Sequence, residues 1–443
     1  LISMNLVLYY FIYGIVKLSL PIYFSDIVVV GKQNVPTRGP VIIFGNHPNM
    51  LLDALVVGLT CGRPLCFWAK ATLFKGFPGW LLRQLGTVPV RRKMDKEELK
   101  TSRDTEQRMD NSALYAESFK AFYEGRVMCV FPEGTSHSEP HLLHLKDGTS
   151  WIKFEFFDQT DGVLDVPIIP CGITYINKDK WRGQVVVQYG KPIMLSKERL
   201  ENFRKDKKSE VKKLTDEMEH ILYSLTLNSP DWETMRLLHA ARRIYFGDKH
   251  MTVAEYVEIT RRFSQFYMKA KDYPEVQNLR KDIAAYQDKL DELHLKDVYV
   301  REEFTFSTAV WTLLDRLFFL LVLLPLSFPG FMMNFPIMVI GKCTNFLTPY
   351  AEAKATLKLM ISVLIAPVVY CVLAAALSFF FGMGVATWLF ILAAIGMVNV
   401  RLLEEEATGL RYILSSLRLI TVIARNAQRE ELQKLKAMRK DIE

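Results

Sequence analysis

Val41-Ile42-Ile43-Phe44-Gly45-Asn46-His47-Pro48-Asn49-Met50-Leu51-Leu52-Asp53 is the stretch that decides how this chain is read. Four apolar residues, three of them β-branched, end at a glycine, as a buried strand does. Met50 to Thr60 then reads as a helix. Strand, polar turn and helix in that order predict an α/β domain. The same stretch holds an imidazole, His47, and a carboxylate, Asp53. A second polar turn, Phe131-Pro132-Glu133-Gly134-Thr135-Ser136, follows another apolar run much later. A base, an orienting acid and a second polar turn together suggest a reaction.

The pattern continues outward. Ile27–Val30, Val127–Phe131, Val166–Pro170 and Val185–Tyr189 are short β-branched or aromatic runs bounded by Gly, Pro or polar turns. Trp80–Leu85 and Asn111–Tyr123 read as helices between them. The expected fold class is an α/β domain, a mixed and largely buried sheet flanked by helices. From Lys197 to Val300 the strand signals stop. Glu198–Asn228, Asp231–Phe246, Val253–Lys271 and Pro274–Leu293 read as helices with one charged face, and the charge run Arg204–Lys213 as a solvated one.

Two stretches then carry no charge: 25 residues from Leu317 to Gly341 and 42 from Leu359 to Val400. A membrane helix takes roughly 20 apolar residues. The longer stretch therefore reads as two spans with Gly382-Met383-Gly384 as the turn. Pro325, Pro329 and Pro336 make the shorter one read as a broken or re-entrant helix. Leu6–Phe24 is apolar with Lys17 and many aromatics. It lacks the basic start and small-residue exit of a signal peptide, and reads as an interfacial or re-entrant anchor. After Val400 the chain is rich in Arg and Lys, which places that tail on the cytoplasmic side. Leu410, Ile413, Leu414, Leu417 and Ile420 form an apolar stripe, suited to a membrane surface or to the protein's own helices.

Composition fits a globular part joined to a membrane part: half of the 443 residues are hydrophobic, and mean hydropathy is +0.10. Net charge is +8. Such a basic excess attracts nucleic acid, anionic lipid or phosphorylated substrates. The apolar segments favour the membrane, and no segment looks like a nucleic-acid module. Six scattered cysteines form no C-x-x-C pair. The expected organisation is a membrane-associated segment over 1–24, a catalytic domain over 25–230, a helical extension over 231–304, transmembrane or re-entrant helices over 305–400, and a basic amphipathic tail over 401–443.

An imidazole accepts a hydroxyl proton near neutral pH, and a carboxylate on its other nitrogen fixes the tautomer. Six residues along a straight helix would leave His47 and Asp53 roughly 120° apart. Pro48 suits the first helical position, so His47 is expected in the preceding turn, swung back over the helix. Gly86-Thr87-Val88-Pro89-Val90-Arg91-Arg92-Lys93 is a short strand delivering three cations suited to phosphate. Gly134 allows close backbone approach, and Glu133 suits substrate hydroxyls or a neighbouring Arg. His137, His141 and His144 raise a metal site. Pro140 interrupts the pair His137 and His141, however, and Ser138 stands where a helical zinc motif has Glu. A loop lining with Lys146 against phosphate is the preferred reading, with no metal. Phe67, Trp68, Phe74, Phe77 and Trp80 are candidates for an acyl tunnel or membrane interface, or for plain core.

These segments, with the strand Val166-Pro167-Ile168-Ile169-Pro170, resemble in order the motifs of the glycerolipid acyltransferase family. Ala240-Ala241-Arg242-Arg243-Ile244-Tyr245 and Arg261-Arg262-Phe263 extend the likeness to the fungal-type glycerol-3-phosphate/dihydroxyacetone-phosphate branch. Five residues separate His47 from Asp53, where the usual family spacing has four. The resemblance implies a membrane-bound enzyme that moves a fatty acyl group from acyl-CoA to the sn-1 hydroxyl of glycerol 3-phosphate. Dihydroxyacetone phosphate is a possible second acceptor, and lysophosphatidate is the product. It implies His47 as general base and Asp53 as its orienting acid. Arg91, Glu133, Gly134 and Thr135 would bind the acceptor, with Arg92 and Lys146 as further candidates. It implies no cofactor beyond acyl-CoA as co-substrate, the lipid bilayer as partner, and an endoplasmic reticulum membrane with the site facing the cytosol, or the inner membrane in a bacterium. A lysophosphatidate acyltransferase, a thioesterase and a non-catalytic lipid-binding protein are the alternatives.

Overall fold

The computed structural model describes residues 4–90, 112–247, 251–295, 297–301, 306–424 and 426–443. Arg91, Arg92 and Lys93 fall outside the described residues. The chain forms two compact units. One is Leu1–Leu227 with Ala351–Thr356, and the other is Asn228–Tyr350 with Leu357–Glu443.

The first unit begins with α1 (Leu6–Tyr23) and β1 (Phe24–Val30). Next come β2 (Val41–Gly45), α2 (Leu51–Thr60), β3 (Leu65–Lys70), α3 (Gly76–Gln84) and β4 (Val88–Val90). Then follow α4 (Ser112–Tyr123), β5 (Val127–Val130), α5 (Gly148–Gln159), β6 (Ile168–Ile176), β7 (Gly183–Tyr189), α6 (Lys197–Lys205) and α7 (Lys207–Leu225). Among the described residues the strands form one seven-stranded sheet in the order β1-β7-β6-β2-β5-β3-β4. Only β6 and β7 pair antiparallel; the other neighbours are parallel.

Every residue of β2 is buried, as expected of a central strand covered on both faces. On one face Ile42, Phe44, Met128, Val130 and Ile168 pack with Phe122, Phe154, Phe203 and Leu214 from the flanking helices. Phe154 and Phe203 stack with ring centroids 4.7 Å apart. Lys153 is buried in this region, with its ammonium on Asp165 and the Val166 carbonyl. Burial lowers its pKa to about 8, against the pull of Asp165.

β3 was not expected as a strand, although Phe67 and Trp68 lie in it. Its run Leu-Cys-Phe-Trp-Ala-Lys neither alternates nor is β-branched, so it carries no strand signal of its own. It is placed by pairing with β5 and β4. Of the aromatics proposed for a tunnel or interface, Phe74 is buried, whereas Phe77 and Trp80 are exposed and stacked on each other.

The second unit is helical: α8 (Trp232–Phe246), α9 (Val253–Ala270), α10 (Pro274–Glu292), α11 (Asp297–Arg301), α12 (Phe306–Cys343), the bulk of α13 (Ala351–Phe381), α14 (Val385–Ala424) and α15 (Asn426–Ile442). Among the described residues, four helices are long and apolar enough to cross a membrane: α1, α12, α13 and α14. The turn between α13 and α14 falls at Gly382–Gly384, with Gly382 at φ +71°.

α12 departs from the expectation of a broken helix: it runs unbroken through Pro325, Pro329 and Pro336. Each proline removes one N–H and so leaves the carbonyl four residues earlier, at Leu321, Pro325 and Met332, without its helical donor. α14 lies along this region. Buried Asn399 donates from Nδ2 to the Ser327 carbonyl at 2.8 Å. A Cβ on Gly330 would meet Asn399 at 2.3 Å, so the close approach needs glycine there.

The expected boundary at residue 400 is not a break either, since α14 continues to Ala424. The stripe of the tail divides. Ile420 packs against a core of this unit that holds Ile244, Tyr286 and Leu290, and Ile413 is buried, whereas Leu410, Leu414 and Leu417 stay exposed.

Candidate active site

β2, β5 and β6 lie side by side, with Phe44 in register with Val130 and with Pro170. The chain segments leaving these strands therefore emerge together at the carboxyl ends of parallel strands, where open α/β sheets build their sites. His47 lies three residues beyond Phe44, and Glu133 three beyond Val130. This equal offset brings them together: the His47 N–H donates to Glu133 Oε1 at 2.7 Å.

The His47 ring stacks on Phe131, with centroids 4.3 Å apart and planes 7° from parallel. Its Nδ1 lies 2.8 Å from Asp53 Oδ2. A carboxylate there holds the proton on Nδ1 and leaves Nε2 as the acceptor. Asp53 is fully buried, at the third position of α2. Its Oδ2 also accepts the Asn49 N–H at 2.8 Å, and its Oδ1 accepts the Tyr175 hydroxyl at 2.7 Å. Burial, then the charge of Asp53, pushes the Tyr175 hydroxyl well above its ordinary range, so it remains a donor.

Pro48 is not at the start of the helix, which begins at Leu51. The turn from Asn46 to Met50 carries the curvature instead, with Met50 at φ +50°. A positive φ in a residue other than glycine is strained and persists where the surroundings fix it. Asn46 supplies one such fixing contact: its amide exchanges two hydrogen bonds with the Ile173 backbone of β6, at 2.9 and 2.7 Å.

Glu133 has a buried carboxylate with internal partners. Besides the His47 N–H it takes the Leu143 N–H at 3.0 Å, and it meets His137 Nε2. The neighbouring Arg envisaged for it is His137 among the described residues. Gly134 sits at φ +75°, and a Cβ there would meet Lys146 Nζ at 2.3 Å. The Lys146 side chain thus lies across the turn, held by its own N–H on the Pro132 carbonyl at 2.9 Å. Thr135 is exposed, its hydroxyl 3.3 Å from the Ser136 carbonyl. Arg91 and Arg92 lie outside the described residues. The described strand that precedes them in sequence, β4, is at the sheet edge beside β3.

Sequence reasoning missed Tyr175, Asn49 and Lys178. Lys178 Nζ donates to Ser138 Oγ at 2.9 Å and to the Pro48 carbonyl at 3.3 Å. Burial lowers its pKa, with Glu352 and Asp53 opposing. Tyr175 lies five residues beyond Pro170 on the same strand, which was the one available signal for it.

Residues 26–174 match the Acyltransferase family model. Residues 237–345 match the model for the glycerol-3-phosphate acyltransferase 2 C-terminal domain. The chain is similar to Glycerol-3-phosphate O-acyltransferase 2 of Saccharomyces cerevisiae, 30% identical over 287 residues, covering 60% of this chain and 38% of that protein. It is similar to Glycerol-3-phosphate O-acyltransferase 1 of the same yeast at 31% over 262 residues, covering 56% and 34%. It thus spans less than two fifths of the length of these relatives. A 1-acyl-sn-glycerol-3-phosphate acyltransferase of Borreliella burgdorferi is 30% identical over 135 residues, covering 30% of this chain and 48% of that protein.

Proposed function

We propose that the chain is a membrane-bound enzyme that transfers a fatty acyl group from acyl-CoA to the sn-1 hydroxyl of glycerol 3-phosphate, giving lysophosphatidate. Dihydroxyacetone phosphate is a second acceptor on this reading. The observation that carries it is the His47–Asp53 pair seated beside the Glu133 turn within an acyltransferase domain. The two yeast relatives supply the acceptor class.

The geometry supports the following course of reaction. His47 Nε2 takes the proton of the acceptor hydroxyl as its oxygen attacks the thioester carbonyl. The tetrahedral intermediate then collapses, the C–S bond breaks, and the imidazolium returns the proton to the departing CoA thiolate. Asp53 stabilises the imidazolium between these steps, held by Asn49 and Tyr175. No acyl-enzyme forms, and no cofactor or metal takes part; acyl-CoA is a co-substrate. The rate gain comes chiefly from holding two substrates together and from the base. Gly134 and Thr135 of the second turn, with Lys146 lying across it, face the acceptor's polar end, and Arg91 and Arg92 are its phosphate contacts. Glu133 acts by holding the His47 backbone.

A long acyl chain gains about 0.8 kcal/mol per buried CH₂, which favours drawing the donor from a bilayer surface. The four long apolar helices support a bilayer setting for this enzyme. The assigned membrane is the endoplasmic reticulum with the site facing the cytosol, or the inner membrane in a bacterium.

The Borreliella relative favours a second reading, lysophosphatidate as acceptor. Purified protein offered both acceptors with one labelled acyl-CoA separates the two. Labelled lysophosphatidate as the main product supports the first reading, and labelled phosphatidate the second.

A further inference from the structure

The turn that holds the catalytic pair is itself held from 300 residues away. Asn49, fully buried between His47 and Asp53, presents its N–H to Asp53 Oδ2, the oxygen that also meets His47 Nδ1. Its carbonyl accepts the Leu52 N–H at 3.1 Å. It also accepts the hydroxyl of Thr356 at 3.0 Å, and the Thr356 oxygen accepts the Leu52 N–H at 3.3 Å. One buried hydroxyl thus ties the turn to the first residues of α2.

Thr356 lies in Ala351–Thr356, the opening of α13, which belongs to the first unit. A helical threonine commonly bonds the carbonyl four residues back. Thr60, Thr312 and Thr421 do so here, on Val56, Thr308 and Leu417. Thr356 gives its only proton to Asn49 instead. Glu352, four residues earlier and on the same helix face, accepts the Ser138 hydroxyl at 3.1 Å. Ser138 in turn receives Lys178, which also reaches the Pro48 carbonyl. The two side chains of one helix face hold the two loops that build the site. Neither matched family model extends to this segment: they end at 174 and 345.

We propose that Thr356 is a positioning residue for the His47–Asp53 pair, so that acyl transfer depends on the opening turns of a long apolar helix outside the acyltransferase domain. This rests on the reading of His47 as the base. Without the hydroxyl, the turn that aims Asp53 loosens. A displacement of about 1 Å at such a distance from the chemistry is enough to cost about a hundredfold in rate.

The test uses the full chain in phosphatidylcholine nanodiscs, as wild type, Thr356→Val and Thr356→Ser. Two quantities are measured: kinetics with glycerol 3-phosphate, and the rate at which diethyl pyrocarbonate modifies His47, read by peptide mass spectrometry. The valine variant is expected to lose about ten- to hundredfold in kcat, with KM for both substrates within about twofold. Its His47 modification rate changes at least about threefold, and serine restores both. If the valine variant does not fold, Thr356→Ala is read the same way. Wild-type kcat in the variant, a change confined to KM, or a serine variant as impaired as valine would overturn the proposal. Absence of any transfer by the wild type refutes the functional reading alone. The His47 modification rate then decides the positioning claim: a change reversed by serine upholds it, and no change refutes it.

Discussion

The backbone of His47 and the side chain of Glu133 are joined directly, N–H to Oε1 at 2.7 Å, across two neighbouring strands. The second polar turn therefore fixes the main chain from which the imidazole hangs. The Leu143 N–H occupies the other carboxylate oxygen, so Glu133→Gln must set an NH₂ group against one of two N–H donors. Leaving a buried donor unsatisfied costs about 1–3 kcal/mol. A lowered thermal midpoint and at least a tenfold loss of acyl transfer are expected, measured by scanning fluorimetry and CoA release.

Tyr175 bonds the Asp53 oxygen that His47 does not. Tyr175→Phe removes that bond to a buried carboxylate and leaves the ring in place. Hydrogen bonds to charged groups contribute about 1.5–3 kcal/mol. The expected outcome is a fall in kcat of about ten- to hundredfold with acceptor KM little changed, read from steady-state kinetics.

His239, in α8, lies under the ring of Tyr256 and near Arg242 and Arg243. Burial, then those two charges, brings its pKa down from 6.5 to about 4. The unfolded chain therefore binds more protons between those values, and stability falls as pH drops through that window. The loss approaches roughly 3 kcal/mol below it. Carboxylates titrate there too, so the informative quantity is wild type minus His239→Phe. The protection factors of α8 amides, that is, exchange rates corrected for the intrinsic pH dependence, are expected to fall more in wild type than in the variant between about pH 6.5 and 4.5.

Much of the catalytic fold was legible because its signals are local. β2, β5, β6 and β7 are apolar runs ended by turn residues, and α2 follows its strand at once. The proximity of His47 and Asp53 needed only a turn between them. What escaped depends on partners far along the chain. β3 has no alternation and exists by pairing. Tyr175 lies 122 residues from Asp53, and Thr356 lies 307 from Asn49. Such contacts leave no periodic trace. The prolines of α12 misled for a related reason: a proline penalty is read from one helix alone, whereas α12 packs against α14 along the same region, as the Asn399 bond to the Ser327 carbonyl shows.

The central claim is that His47 deprotonates an acceptor alcohol. Its most direct test is CoA release from acyl-CoA by purified wild type and His47→Ala, each with and without glycerol 3-phosphate. The account predicts release that requires glycerol 3-phosphate in wild type and falls by several orders of magnitude in the folded variant. Release independent of acceptor, or undiminished without the imidazole, would contradict it.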